Sequence, residues 1–216
     1  MYPIFNTYVL PSFAAGVALP WAFPMLEQKS AAQTESPPPA PGGIQRGIKM
    51  APTIAKIVGT QKIVQNGSAA FFEKQFGWTP TSFPSIFCSS LLSAAATSGF
   101  YADFNKSTLT GKILPLTPWQ RLAIISREQT FLATEPANRA MKENCPKNIV
   151  VETACDFASG AMGSVAGHIP DTILSRMQKG RSLHPRHWMR GSPQRALALG
   201  IFNIVYEGVK KCSPTN

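Results

Sequence analysis

The residues whose types and spacing could do chemistry concentrate in one stretch, Gly160 to Gln178, GAMGSVAGHIPDTILSRMQ. An acid (Asp171), a base (Arg176) and an amide (Gln178) follow directly on a proline, Pro170. Proline in a long apolar helix removes a backbone donor and bends the helix. An ion pair set just past such a bend can lock that end to a neighbouring helix. Ahead of the bend stand Gly160, Gly163 and Gly167, the last two in small-xxx-small spacing. Such spacing lets backbones approach closely, which counts most in a bilayer, where packing replaces hydrophobic burial. A second charged pair, Arg127-Glu128, lies inside another apolar segment, and Arg195 lies in a third. Ionisable side chains in such segments mark substrate or ion pathways by default, and a buried or interfacial ion pair with a structural role is the alternative.

Other chemistries lack their residues. Cys88, Cys145, Cys155 and Cys212 contain no C-x-x-C, and His168, His184 and His187 have no zincin spacing, so neither a metal site nor a disulfide framework is indicated. There is no phosphate-binding glycine loop and no G-x-S-x-G. The chain reads as a non-enzyme without a metal or organic cofactor.

The elements that must position these charges are long helices. Charged residues make up only 15% of the 216, against roughly 25% in soluble domains, and 44% are hydrophobic. Nineteen prolines and sixteen glycines are better tolerated in membrane helices than in a soluble bundle. Mean hydropathy is only −0.03, which fits helices that face one another and a polar interior as much as lipid. The net charge of +10 points to nucleic acid or anionic lipid. No zinc-ligand spacing, RNP-like strand or basic helix with interleaved aromatics is present, so lipid is favoured and nucleic acid is not expected as a partner.

Six segments emerge. The first, 1–26, is uncharged, with Ala14 and Ala18 four apart before Pro20; a stiff Pro-rich linker, 33–43, follows. The second is 50–76 and the third 83–106, with Ser90, Ala94 and Ser98 four apart. The fourth is 118–142, the fifth 148–178 and the sixth 193–211. They pair into three units, 1–78, 79–147 and 148–216, within a single domain. Odd segments carry small residues four apart and then the remnant of one recurring pattern, near Pro20, Asp103 and Asp171; even segments close on an acid, Glu73, Glu135 or Glu207.

Asp171, Arg176 and Gln178 match P-x-[DE]-x-x-[KR]-x-[KR]-x-Q, with Ile169 in the proline position and Leu174 in the first basic one. Asp103 and Lys106 fall in the same positions after Tyr101. Tyr206, Glu207 and Lys210 complete [FY]-[DE]-x-x-[KR]. With the threefold repeat, the chain resembles the mitochondrial carrier family. That resemblance implies an all-α membrane protein of six transmembrane helices in three pseudo-repeats, in the inner membrane. The connections here leave the family's short matrix helices short or missing. Basic residues crowd the odd-to-even connections, so by the positive-inside rule these face the matrix and both termini the intermembrane space. The first base is Lys29, which gives no sign of a cleavable presequence. The resemblance also implies cardiolipin sites, here Arg46-Gly47 and Arg190-Gly191, where a glycine opening a helix offers N–H groups to phosphate.

In the family, rings of ion pairs gate a central substrate site. The matrix ring here reduces to Asp103, Lys106, Asp171, Arg176 and Gln178; the outer ring to Glu73, Glu135, Tyr206, Glu207 and Lys210. The signature near Pro20 has Ala22 and Met25 where its charges belong, so the first helix is expected to contribute no charge. Rings so depleted imply a chain that keeps the fold without transport. Its expected role is an accessory or structural subunit of a larger inner-membrane complex, such as a respiratory complex or ATP synthase. The competing expectation is an active carrier of a small anionic or zwitterionic metabolite, with Arg127, Glu128 and Arg195 as substrate contacts.

Overall fold

The computed structural model describes residues 8–132, 142 and 144–212, and among these every regular element is a helix. They are α1 (Leu10–Thr34), α2 (Gly43–Phe76), α3 (Phe83–Ser107), α4 (Pro118–Leu132), α5 (Ile149–Ala166), α6 (His168–Gln178) and α7 (Ser192–Lys211). Sequence punctuation sets their ends. Pro11, Pro84, Pro118 and Pro193 stand in the first turns of α1, α3, α4 and α7, where the missing N–H costs nothing. Gly77 closes α2 in the left-handed region at φ 68°, its N–H reaching Glu73 O at 2.9 Å. The Asn148 side chain accepts from Val150 N at 2.8 Å and caps α5.

The elements pack as a ring in chain order: α1 on α2, α2 on α3, α3 on α4, α4 on the α5–α6 pair, α5 on α7, and α7 back on α1. The core runs down the inside, through Leu19, Phe23, Ile57, Ile124 and Leu174. Small residues set the spacing. A Cβ on Gly160 would meet Leu199 O at 2.4 Å, and one on Gly47 would meet Pro20 Cα at 2.7 Å, so α5–α7 and α1–α2 pack backbone to backbone. The stripe Ser90, Ala94, Ser98 is likewise buried, and Ser93 Oγ donates to Gln61 O at 2.9 Å to tie α3 to α2.

Two expectations need correcting. The fifth segment is broken: α5 ends at Ala166 and α6 begins at His168. The break lies four residues before Pro170, where that residue cannot donate to the Ala166 carbonyl and its ring crowds it. The first helix runs on to Thr34, so Lys29 and Gln33 are buried helical residues, not loop or linker. The linker contracts to the residues between Glu35 and Gly42. By length and composition α3 alone among the described residues is apolar enough to cross a membrane, so the all-helical fold is seen and six spans are not shown. α1 and α4 to α7 carry buried charge, as with Arg127 and Glu128 on α4 or Arg195 on α7. The connections 108–117 and 179–191 hold no α-helix, only a 3-10 turn at Pro185–His187. Glu135 lies outside the described residues.

Candidate functional site

Asp171 sits in the first turn of α6, fully inside the bundle, and every helix around it except α5 supplies a partner or a wall. Lys29 of α1 reaches its Oδ2 at 3.0 Å, and Gln33, one turn on, donates to the same oxygen at 2.9 Å. Arg127 Nη1 of α4 donates to Oδ1 at 2.8 Å. Arg195 Nε of α7 lies 3.8 Å from Oδ2, while its Nη1 donates to Ser164 O at 2.6 Å. Arg127 also donates from Nε to Glu128 Oε1 at 2.7 Å, and its guanidinium stands 5.0 Å over the Tyr101 ring. Gln61 of α2 holds the far oxygen of Glu128 at 3.5 Å.

One carboxylate thus ties α1, α4 and α7 to α6. Around it lies a cavity of about 100 Å³, lined by Lys29, Gln61, Tyr101, Arg127, Glu128, Asp171 and Arg195 with apolar side chains such as Ile54 and Phe202. That space admits several waters, given that roughly 10–15 Å³ of such volume holds one. Among its lining residues three cations face two carboxylates, which leaves one positive charge in surplus.

The expectation that Asp171 lacks a base fails because the bases come from other helices. Sequence reading missed Lys29 and Gln33, although the signal was present. Read from Pro24 instead of Pro20, the same signature puts Lys29 in its first basic position and Gln33 in its glutamine position. The expected contributions of Asp103 and Lys106 fail in the opposite sense. They pair within their own helix at 3.1 Å, and the Asp103 side chain is 72% exposed. The i,i+3 spacing brings them together on the outer face. Arg176 and Gln178 are buried and hold α6 to α1, to α3 and to the connection that follows it. Arg176 donates to Gln33 O (2.7 Å) and Ser182 O (2.5 Å), and Gln178 accepts from Asn105 Nδ2 at 2.5 Å.

At that end of the bundle Glu35, left-handed at φ 53°, caps α1 and receives Arg190, with Arg176 at 3.8 Å and His187 Nδ1 at 3.5 Å. Partial desolvation pushes the Glu35 carboxyl up, but Arg190, His187 and Arg176 outweigh it and hold it below the ordinary range. Desolvation, then Arg176, pushes His187 down. A lowered carboxylate stabilises the fold above its unfolded pKa, about 4.3 for Glu, and the contribution disappears as pH falls through the folded value. Glu35→Gln is therefore expected to lower the melting temperature at pH 7. The gap from the parent should close below about pH 4.3; a gap unchanged at pH 3 would remove Glu35 from this role.

Of the expected lipid residues the two glycines are buried, while Arg46 and Arg190 stay partly exposed and pair with carboxylates of this chain. Arg46 reaches both Glu27 oxygens, at 2.5 and 2.8 Å, and the Ala40 and Pro41 carbonyls. Gly47 is covered by α1, and Gly191 (φ 78°) lies against the Lys29 backbone. At the opposite end Glu207 pairs with Lys210 one turn on at 2.9 Å, and Lys210 stands over the Tyr206 ring at 4.9 Å. Lys142, which sequence reading did not single out, bridges Asp156 and Glu207. Glu73 lies at the end of α2, where its carbonyl accepts the Gly77 cap.

Compared with protein-family models, with curated proteins and with solved structures, the chain matches none.

Proposed function

We propose that the chain is a carrier-like bundle of six membrane-spanning segments in the mitochondrial inner membrane. It has lost transport and serves as an accessory or structural subunit of a larger inner-membrane complex, with anionic phospholipid around it. The observation that carries this reading is the state of the candidate substrate contacts: Arg127 and Arg195 are both turned onto Asp171. In a working gate the acids bind bases of their own ring and leave the central charges for substrate. Here ring and centre are merged into one buried knot, joining α1, α4, α6 and α7. Such a knot is strongly destabilised when one partner is withdrawn, so it opposes the opening that transport needs. The ring order of the helices, and Lys29 meeting Asp171 from the basic and acidic positions of two repeats, favour the carrier-like part.

Native gels of mildly solubilised membranes test it. The chain is expected to migrate with a large complex, and reconstituted proteoliposomes should take up no metabolite above protein-free controls. Uptake abolished by Arg127→Ala would instead establish the second reading, an active carrier of a small anion. What favours that reading is the cavity beside Arg127 with its surplus positive charge.

A further inference from the structure

Cys145, in the turn before α5, and Cys155, two turns into that helix, approach to 3.9 Å between sulfurs. We propose that these two thiols form a redox-modifiable dithiol, whose disulfide fastens the connection entering α5 to the helix it leads into. Cys145 is half-buried and Cys155 lies beneath it, while Cys88 and Cys212 sit elsewhere, on α3 and just after α7. The pair therefore has a more accessible member and a buried one placed to resolve it, an arrangement that suits reversible oxidation.

The oxidant is a small disulfide such as oxidised glutathione. The Cys145 thiolate attacks one of its sulfurs, forming a mixed disulfide and expelling one glutathione thiolate, which takes up the proton Cys145 gave up. The Cys155 thiolate then attacks the Cys145 sulfur and expels the second glutathione, which takes the second proton. Two thiols become one S–S bond, and one oxidised glutathione becomes two reduced ones.

The site sits where it has something to hold. Lys142, just ahead of Cys145, bridges Asp156, the neighbour of Cys155, and Glu207 on α7. Closing the disulfide shortens the tether on Lys142 and keeps α5, α7 and the entering chain together at this end. None of this depends on the carrier reading or on which partners the bundle has.

The test uses the full chain in detergent, treated with oxidised glutathione and then alkylated. Trypsin cuts after Lys147, so the disulfide would join the peptide ending there to the one beginning at Asn148. The expected result is that linked pair, with Cys88 and Cys212 still alkylated and cleavage after Lys142 slowed several-fold relative to the reduced protein. Cys145→Ser and Cys155→Ser should each abolish both effects. The proposal is overturned if Cys145 and Cys155 remain alkylated after oxidation, if either links to Cys88 or Cys212, or if only stable glutathione adducts form.

Discussion

Replacing Asp171 by Asn is expected to destabilise the bundle by roughly 3–5 kcal/mol, the usual cost of removing one partner from a buried ionic group. The carboxylate is the common anion of Lys29, Arg127 and Arg195. Without it only Glu128 remains to face three buried cations, and their mutual repulsion acts in a medium that screens poorly. Asparagine keeps the shape and one acceptor, so the loss reports charge and not volume. Removing a cation as well, in Lys29→Gln with Asp171→Asn, should recover part of the loss, since coupled neighbours are not additive. Asp103→Asn provides the contrast. Its side chain is exposed and paired only with Lys106 on its own helix, so a change within about 0.5 kcal/mol is expected. Denaturation midpoints in one detergent measure all three. Equal losses at Asp103 and Asp171 would contradict the assignment of the interhelical lock to Asp171.

The second large effect is expected at Gly160. A side chain there points at the Leu199 carbonyl, with a Cβ at 2.4 Å from its oxygen and 3.0 Å from the Asn203 Cβ. Backbone cannot swing aside as a long side chain can, so Gly160→Leu must push α5 off α7. Overpacking a dense interior costs about 1–3 kcal/mol and occasionally more. This site belongs at the upper end, because separating the helices also breaks the Asn203 bonds to Asp156 O (2.7 Å) and Ser159 Oγ (2.9 Å). Gly99→Ala is the control, since nothing lies within 4 Å of its added Cβ, and alanine is worth about 1 kcal/mol more than glycine inside a helix. Gly160→Leu should therefore melt lower and Gly99→Ala no lower than the parent. A Gly160→Leu protein as stable as the parent would show that α5 and α7 do not pack through their backbones.

Much of the architecture was legible before any coordinates. Prolines and glycines marked the starts of α3, α4 and α7 to within a residue, because their effects on the backbone are local. The inward face of α3 followed from its small residues four apart. Arg127, Glu128, Arg195 and Asp171 could be named because charges inside apolar segments are rare enough to stand out. Their partnership could not. Lys29 and Asp171 are 142 residues apart, and although the register from Pro24 singles out Lys29, nothing local says which carboxylate it meets. The extra length of α1 decides whether Lys29 joins Arg127 and Arg195 on Asp171.

Asp103 and Lys106 erred the other way: correct types in correct spacing on the wrong face. Spacing along a helix fixes which residues share a stripe, but the rotation of that stripe toward the centre depends on what the neighbours bury. Tyr101, Ala102, Phe104 and Asn105 took the inside of α3 and turned Asp103 out.

By itself the sequence determined helices, most of their approximate limits and a short roster of buried-charge candidates. These follow from backbone stereochemistry and hydrophobic periodicity, which act over a few residues. Only the tertiary structure decided that the helices close in chain order, that α5 and α6 break at Gly167, and that Asp171 gathers three cations from α1, α4 and α7. Those outcomes depend on which surfaces meet, and a buried charge selects its partners from whatever packing brings within about 4 Å, however distant in the chain.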